Sequence, residues 1–220
     1  MGRLSGKVAV VLGGSGGIGS AVARRLAAEE AAVVVSYRSG PDRASAVVGE
    51  IEALGGAAIT LEADVSNEDA VTALFDETIR RLKRVDILVN SAGEFAMGSL
   101  ADMRGAELDA LFAVNVKGCL LSIREAVRHM NEGGRIVNVS ALGAIGLPNF
   151  VAYGASKAAI EEITRGLALE LGAKRITVNA VAPGATDTPM FDGMRAHTAE
   201  IVAHTALGRQ SLHRPVVGCQ

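Results

Sequence analysis

The sequence predicts a single α/β domain built on a doubly wound parallel sheet, and three observations indicate this fold. Short, wholly apolar runs such as residues 8–12 are typical of strands that are covered on both faces. Such runs alternate along the chain with longer stretches of helical character. A glycine-rich turn at residues 13–19 joins the first apolar run to the first helical stretch. The alternation continues to residue 208, so we expect one domain over 1–208 and a divergent tail over 209–220.

The expected elements follow one another in a regular order. Gly55 and Gly56 stop the second helical stretch. Ser66, with Asp69 three residues later, predicts a capping box at the start of the third. We expect strands at residues 8–12, 33–37, 57–63, 85–89, 135–139 and 176–181, and helices at about 18–31, 43–54, 67–82, 108–130 and 153–171.

The composition narrows the classes of partner. A chain of 220 residues, 49% of them hydrophobic and with a net charge of -2, fits one globular domain with no basic surface for nucleic acid. No run approaches 18 apolar residues without a charge or a breaker, and the first seven residues do not resemble a signal peptide. Cys119 and Cys219 form neither a disulfide framework nor a metal spacing. We expect a cytoplasmic protein with a small-molecule ligand, no metal and no membrane partner.

The glycine-rich turn predicts a site for a dinucleotide. Gly13, Gly17 and Gly19 lack a Cβ atom, so the backbone can turn sharply and approach a pyrophosphate closely. The helix that follows offers free N–H groups and the positive end of its dipole to that anion. Because the turn lies between an apolar strand and an Ala-rich helix, it is much stronger evidence than the glycine spacing alone.

The end of the second strand favours NADPH over NADH, although NADH is possible. An acidic residue there would accept hydrogen bonds from the ribose hydroxyl groups and repel a 2′-phosphate, whereas a basic residue attracts the phosphate. This chain has Arg38 and Ser39, and no acidic residue before Asp42. We therefore expect Arg38 and Ser39 to bind the 2′-phosphate. The alternative is that Arg38 is a solvated loop residue.

A second pair of residues predicts proton transfer. Tyr153 and Lys157 stand four residues apart in a helical stretch, so the phenol and the ammonium group point to the same side. A cation within about 4 to 6 Å favours phenolate and lowers the pKa of a tyrosine toward neutrality. The alternative is that Tyr153 packs on its own helix and Lys157 is solvated.

These motifs resemble the short-chain dehydrogenase/reductase family over residues 5–208. The resemblance also rests on Asn90-Ser91-Ala92-Gly93, Asn115, Pro183-Gly184 and Ser140, which lies thirteen residues before Tyr153. The resemblance implies a Rossmann-like fold and four catalytic residues. Tyr153 would donate the proton, Lys157 would lower its pKa and bind the nicotinamide ribose, Ser140 would bind the developing oxyanion, and Asn115 would hold a relay water. The implied cofactor contacts are Gly13, Ser15, Gly17, Ile18, Gly19, Asp64, Val65, Asn90, Ala92, Gly93, Tyr153, Lys157, Pro183, Gly184, Thr186 and Thr188.

The resemblance also implies an activity. We expect an NADPH-dependent oxidoreductase that reduces a ketone or oxidises the matching secondary alcohol, most similar to reductases of 3-oxoacyl thioesters and of cyclic or polyketide ketones. The loop at 141–152 and an apolar flap with Met190, Phe191, Met194 and Ile201 would enclose the substrate. Asp64 is either an adenine contact or only a turn residue before the third helix.

The tail departs from the family pattern. Relatives continue with a further helix and a seventh parallel strand, and residues 209–220 are too few for such a crossover. We therefore expect six strands, an uncovered sheet edge and a loop-like tail. A homo-oligomer, either a dimer or a tetramer, is expected, but weakened by the short end. The alternative function is a non-catalytic dinucleotide-binding subunit or an inactive shortened reductase.

Overall fold

The computed structural model describes residues 2–142 and 147–190, together with the backbone of 211–212. Within these residues six helices alternate with the strands, and a π-helical turn, Ala113–Lys117, joins the fourth helix to the fifth. The strands are β1 (Val8–Leu12), β2 (Ala32–Tyr37), β3 (Ala57–Glu62), β4 (Val85–Asn90), β5 (Met130–Val139), β6 (Thr177–Val181), β7 (Thr186–Asp187) and β8 (Ser211–Leu212). The helices are α1 (Gly17–Ala28), α2 (Pro41–Ala53), α3 (Glu68–Leu82), α4 (Gly105–Phe112), α5 (Gly118–His129) and α6 (Val151–Glu170).

Six parallel strands form the main sheet in the order β3-β2-β1-β4-β5-β6, which confirms the predicted fold. The order reverses at β1, because β2 and β3 lie on one side of it and β4 to β6 on the other. Ligands of such sheets bind at the carboxyl ends of the strands near this reversal. The register aligns those ends, since Leu12 pairs with Asn90, Asn90 with Asn138, and Val139 with Val181.

The core lies on both faces of this sheet. Strand β1 is buried along its whole length. Its Val10 and Leu12 belong to the cluster that contains Phe75 of α3, whereas Ala9 and Val11 belong to the cluster that α1 and α2 cover. Burial of each large apolar side chain contributes about 1.5 to 3 kcal/mol to the free energy of unfolding. The core on both faces therefore stabilises β1, the strand that leads into the glycine turn.

Several boundaries differ from the sequence prediction. Strand β5 begins at Met130, five residues before the expected start, because α5 ends directly before it at His129. The single helix expected at 108–130 is divided by the π turn into α4 and α5. The N-cap of α3 is Asn67, whose side chain accepts a hydrogen bond from the N–H of Ala70 at 3.0 Å. Ser66 does not cap α3, because its hydroxyl donates to the Asp64 carboxylate at 2.7 Å.

The expectation of a loop throughout the tail is wrong at one place. Residues Ser211–Leu212 pair in parallel with Thr186–Asp187 and form a separate two-stranded sheet. Within the described ranges, β6 pairs only with β5 and remains the edge of the main sheet, as expected. Residues 143–146 of the substrate loop and Phe191, Met194 and Ile201 of the flap lie outside the described residues. No helix in the described part is both long and apolar enough to span a membrane.

Candidate active site

A cleft of about 360 Å³ lies at the carboxyl ends of β1, β4, β5 and β6. It brings together residues that are far apart in the chain, from the glycine turn to the start of α6. Thirteen of the predicted site residues line it: Gly13, Ser15, Gly17, Ile18, Gly19, Gly93, Ser140, Tyr153, Lys157, Pro183, Gly184, Thr186 and Thr188. Seven predicted residues do not line it: Arg38, Ser39, Asp64, Val65, Asn90, Ala92 and Asn115.

The floor of the cleft is the turn between β1 and α1. Gly13 has a φ of +67°, and a Cβ atom on it would lie 2.8 Å from the backbone N and Cα of Ala92. A Cβ on Gly19 would overlap the carbonyl oxygen of Gly13, and one on Gly17 would overlap the side chain of Thr188. The first turn of α1 has no side-chain cap and no acidic residue. This cradle of free N–H groups therefore fits the pyrophosphate of a dinucleotide.

Tyr153 and Lys157 lie side by side on the cleft wall. Both side chains are buried, and the Lys157 Nζ atom lies 5.7 Å from the centroid of the Tyr153 ring. The Lys157 ammonium group donates a hydrogen bond to the carbonyl oxygen of Val139 at 3.1 Å. The predicted geometry is confirmed, since the two groups share one face of α6.

The expected direction of the Tyr153 pKa is wrong. Burial raises the pKa of Tyr153 to about 12, and burial lowers the pKa of Lys157 to about 8. Both shifts have the same cause, because a low-dielectric environment disfavours the charged form of each group. The spacing along the helix revealed that the two groups are close, but not that both are buried.

The Lys157 pKa predicts a pH-dependent stability. Its ordinary value is 10.5, so the unfolded chain binds more protons than the folded chain between about pH 8 and 10.5, and Lys157 adds stability as pH rises through that window. We expect the difference in free energy of unfolding between wild type and Lys157→Met to shift by about 2 kcal/mol in favour of wild type from pH 7 to pH 9.5. Urea unfolding at both pH values measures it.

The comparison reduces the opposing contributions of other groups. Burial raises the pKa values of Cys119 and Tyr153 to about 12, so both groups lower the stability at high pH in each protein. The Lys157 charge also lowers the pKa of Cys119, so the Cys119 contribution does not cancel completely in the Lys157→Met protein. A difference between the two proteins that does not change with pH would show that Lys157 is not desolvated in this way.

The Ser140 hydroxyl faces α6. Its Oγ atom lies 3.2 Å from the carbonyl oxygen of Lys157 and 3.0 Å from Oε1 of Glu161, and the residue is buried. Ala141, the next residue, packs against the cluster that contains Tyr153. Ser140 thus lines the cleft as predicted, but both acceptors close to its hydroxyl belong to α6. A role with a substrate oxygen requires this hydroxyl to turn away from Glu161.

Asn115 lies in the π turn, a distortion that is frequent at functional sites. Its side-chain oxygen accepts from the N–H of Glu94 at 2.7 Å, and its Nδ2 donates to the carbonyl oxygen of Glu94 at 2.9 Å and to the Ser156 hydroxyl at 3.0 Å. The buried amide is therefore satisfied. It connects the segment after β4 to α6, the helix that carries Tyr153 and Lys157.

Most residues predicted for the adenosine half do not line the cleft, and several of them have other partners. Arg38 forms an ion pair with Glu94 at 2.6 Å, which the sequence did not reveal. Asp64 accepts from the backbone N–H and the hydroxyl of Ser66, which is the turn role left open as an alternative. Asn90 donates to Asn138 at 2.8 Å in the buried region that also contains Cys119.

Sequence reasoning missed the aromatic wall of the cleft. Six Phe and Tyr residues lie in the described part of the chain, and three of them, Phe95, Phe150 and Tyr153, line the cleft. The Phe95 ring lies 5.1 Å from the Tyr153 ring, edge to face, and 5.8 Å from the Phe150 ring. The position of Phe95, two residues after Gly93, was an available signal. Leu147 and Phe150 of the predicted substrate loop and Met190 of the predicted flap line the cleft, as do Arg43, Ser91 and Pro189, which were not predicted.

Comparison with known proteins relates the whole arrangement to one family. The family model described as short chain dehydrogenase matches residues 7–199. A versicolorin reductase of Emericella nidulans is 44% identical over 191 residues, which cover 86% of this chain and 72% of the relative. An elsinochrome reductase of Elsinoe fawcettii is 43% identical over 191 residues, with the same coverage of 86% and 72%.

Two solved structures extend the comparison to cofactor complexes. A short chain dehydrogenase from Burkholderia cenocepacia in complex with NADP superposes with a TM-score of 0.93 at 43% identity, over 98% of this chain and 89% of that one. The angucycline C-6 ketoreductase LanV with bound NADP gives a TM-score of 0.92 at 36% identity, over 99% of this chain and 88% of that one.

Proposed function

Because the chain belongs to the short-chain dehydrogenase family and is an oxidoreductase, we propose that it reduces a ring ketone with NADPH, or oxidises the matching secondary alcohol with NADP+. One observation carries the proposal. A single cleft joins the uncapped, glycine-rich start of α1 to the buried pair of Tyr153 and Lys157. An anion-binding cradle beside a proton donor is what hydride transfer to a carbonyl group requires.

The residues divide the binding of the cofactor among them. The start of α1 binds the pyrophosphate, Lys157 the nicotinamide ribose, and Thr186 and Thr188 the nicotinamide end. Ser39 and Arg38 bind the 2′-phosphate. NADP bound in similar structures supports this assignment. NADPH bound in the cleft of this chain would supply the hydride. The chain's own residues orient the substrate and move the proton.

Tyr153 donates the proton to the carbonyl oxygen as hydride arrives at the carbonyl carbon. The phenol is protonated near neutral pH, which is the form an acid needs for reduction, and burial further disfavours the phenolate. The neighbouring Lys157 ammonium stabilises the phenolate that forms. Ser140 donates its hydroxyl to the developing oxyanion once it turns from Glu161, and Asn115 holds the wall behind the pair in place.

The aromatic wall supports a flat, ring-containing substrate. The Phe95 ring lies edge to face with the Tyr153 ring, and Phe150 packs against Phe95 in the same cleft. Aromatic groups pack well in offset or edge-to-face arrangements. The names of the relatives, a versicolorin reductase and an angucycline C-6 ketoreductase among them, agree with a cyclic ketone. We propose a ring ketone in preference to a linear 3-oxoacyl thioester. Homo-oligomerisation and a cytoplasmic location remain predictions.

The test is NADPH oxidation, followed by absorbance, with a panel of tetralones, hydroxynaphthalenones and linear 3-oxoacyl thioesters. We expect oxidation that depends on both enzyme and ketone, and a higher kcat/KM for the bicyclic ketones than for the linear thioesters. Thermal unfolding with and without NADPH accompanies the assay, because a cofactor at about a hundred times its Kd adds about 2.7 kcal/mol. Stabilisation by NADPH without any turnover would favour the non-catalytic dinucleotide-binding alternative.

A further inference from the structure

We propose that Glu94 sets the preference between NADPH and NADH. Its carboxylate forms an ion pair with Arg38, and the 2′-phosphate of NADPH must replace that carboxylate to bind Arg38. This inference rests on the proposed function, in which Arg38 binds that phosphate. It assigns to Glu94 a role in selecting the cofactor, whereas the glycine turn and the catalytic residues act on NADPH and NADH alike. The cofactor preference is then the outcome of a competition between two anions for one guanidinium group.

The position of the ion pair is the first argument. Strands β2 and β4 flank β1, Arg38 directly follows β2, and Glu94 follows β4 by four residues. An ion pair of 2.6 Å between these two residues therefore spans the carboxyl end of β1, where the Gly13 turn begins. That region of the sheet is where the adenosine half of a dinucleotide lies in doubly wound folds. The pair must open or rearrange when the cofactor enters.

The second argument is that the two partners are held very differently. The backbone N–H and carbonyl groups of Glu94 are both bound to the Asn115 side chain, so the carboxylate projects from a fixed segment. The Arg38 side chain is 52% exposed, and that of Glu94 is 33% exposed. Ion pairs with such exposure contribute little to stability, so a ligand can readily displace one partner. Arg38 is thus the mobile partner and Glu94 the fixed one.

The third argument is chemical. A guanidinium group binds carboxylates and phosphates through the same donor geometry, and a phosphate monoester carries the larger negative charge. The 2′-phosphate therefore displaces the carboxylate, but it does so against the remaining negative field of Glu94. NADH has no 2′-phosphate and does not require Arg38. Asp64 also faces Arg38, yet its carboxylate is already bound by the N–H and hydroxyl of Ser66.

Isothermal titration calorimetry of the full chain with NADP+, NAD+, 2′,5′-ADP and 5′-AMP tests the inference. We expect Glu94→Gln to lower the Kd of NADP+ and 2′,5′-ADP by about two- to fivefold and to leave the Kd values of NAD+ and 5′-AMP within about twofold of wild type. Glu62→Gln is the matched control, because it removes one exposed carboxylate at the end of the neighbouring strand β3. The control is expected to change neither set of Kd values.

The double variant Arg38→Ala/Glu94→Gln isolates the pair. If Glu94 acts through Arg38, the gain for NADP+ disappears in the Arg38→Ala background. A gain that survives there would overturn the inference, because Glu94 would then act on the ligand directly. Weaker NADP+ binding by Glu94→Gln would also overturn it, since the pair would then close over the cofactor. Unchanged Kd values in a Glu94→Gln protein that still reduces ketones with NADPH would overturn this inference and leave the proposed function intact.

Discussion

Tyr153→Phe is expected to lower kcat for ketone reduction by about 10²- to 10⁴-fold, because it removes the hydroxyl group that donates the proton and keeps the aromatic ring. The ring that remains keeps its edge-to-face contact with Phe95 at 5.1 Å, so the wall of the cleft is preserved. Lys157 keeps its hydrogen bond to Val139, so the ribose site is preserved as well. Steady-state kinetics with NADPH and the best ketone of the panel gives the measurement.

Cofactor binding provides the internal control for this variant. Stabilisation by NADPH in a thermal scan should match that of wild type, which would show that the folded cofactor site is intact. If the Phe variant turned over at a rate close to wild type, Tyr153 would not be the acid, and a group elsewhere in the cleft would have to donate the proton.

Ser140→Ala is expected to lower kcat by about 10²- to 10³-fold, the range found when one donor to an oxyanion is removed. In the free protein the Ser140 hydroxyl lies near Glu161 and the carbonyl oxygen of Lys157, so the prediction requires it to rotate when the substrate binds. The loss should be in kcat more than in KM, because the interaction strengthens as negative charge develops on the oxygen.

Ser122→Ala is a matched control for this change. Ser122 is also buried, and its hydroxyl donates to the carbonyl oxygen of Gly118 on its own helix, away from the cleft. The control should retain wild-type kinetics. A Ser140→Ala protein that is equally active would mean that the Ser140 hydroxyl stays with α6 and only ties β5 to that helix.

Much of the fold was predictable because its signals are local. The apolar run of β1 followed at once by Gly13 requires a buried strand and a tight turn, and both are present. The four-residue spacing of Tyr153 and Lys157 fixes their common face on α6 regardless of the rest of the chain. Such features depend on neighbours in sequence, so a single chain reveals them.

The remaining features depend on contacts between distant parts of the chain. The pairing of Arg38 with Glu94 joins residues 56 positions apart, and no local pattern indicates it. The direction of the Tyr153 pKa follows from the burial that Phe95 and the surrounding walls produce, which spacing along α6 does not encode. The π turn around Asn115 likewise accompanies contacts between distant residues, because its amide bonds to the Glu94 backbone and to the Ser156 hydroxyl.

The most direct test of the central claim is the transfer of deuterium to a bicyclic ketone from NADPH that carries deuterium at both C4 positions of the nicotinamide, measured by mass spectrometry and NMR of the product. The account predicts one deuterium on the carbinol carbon with wild type, and a rate of incorporation that falls with Tyr153→Phe while NADPH binding persists. Product without deuterium, or no product from any ketone in the presence of bound NADPH, would contradict it.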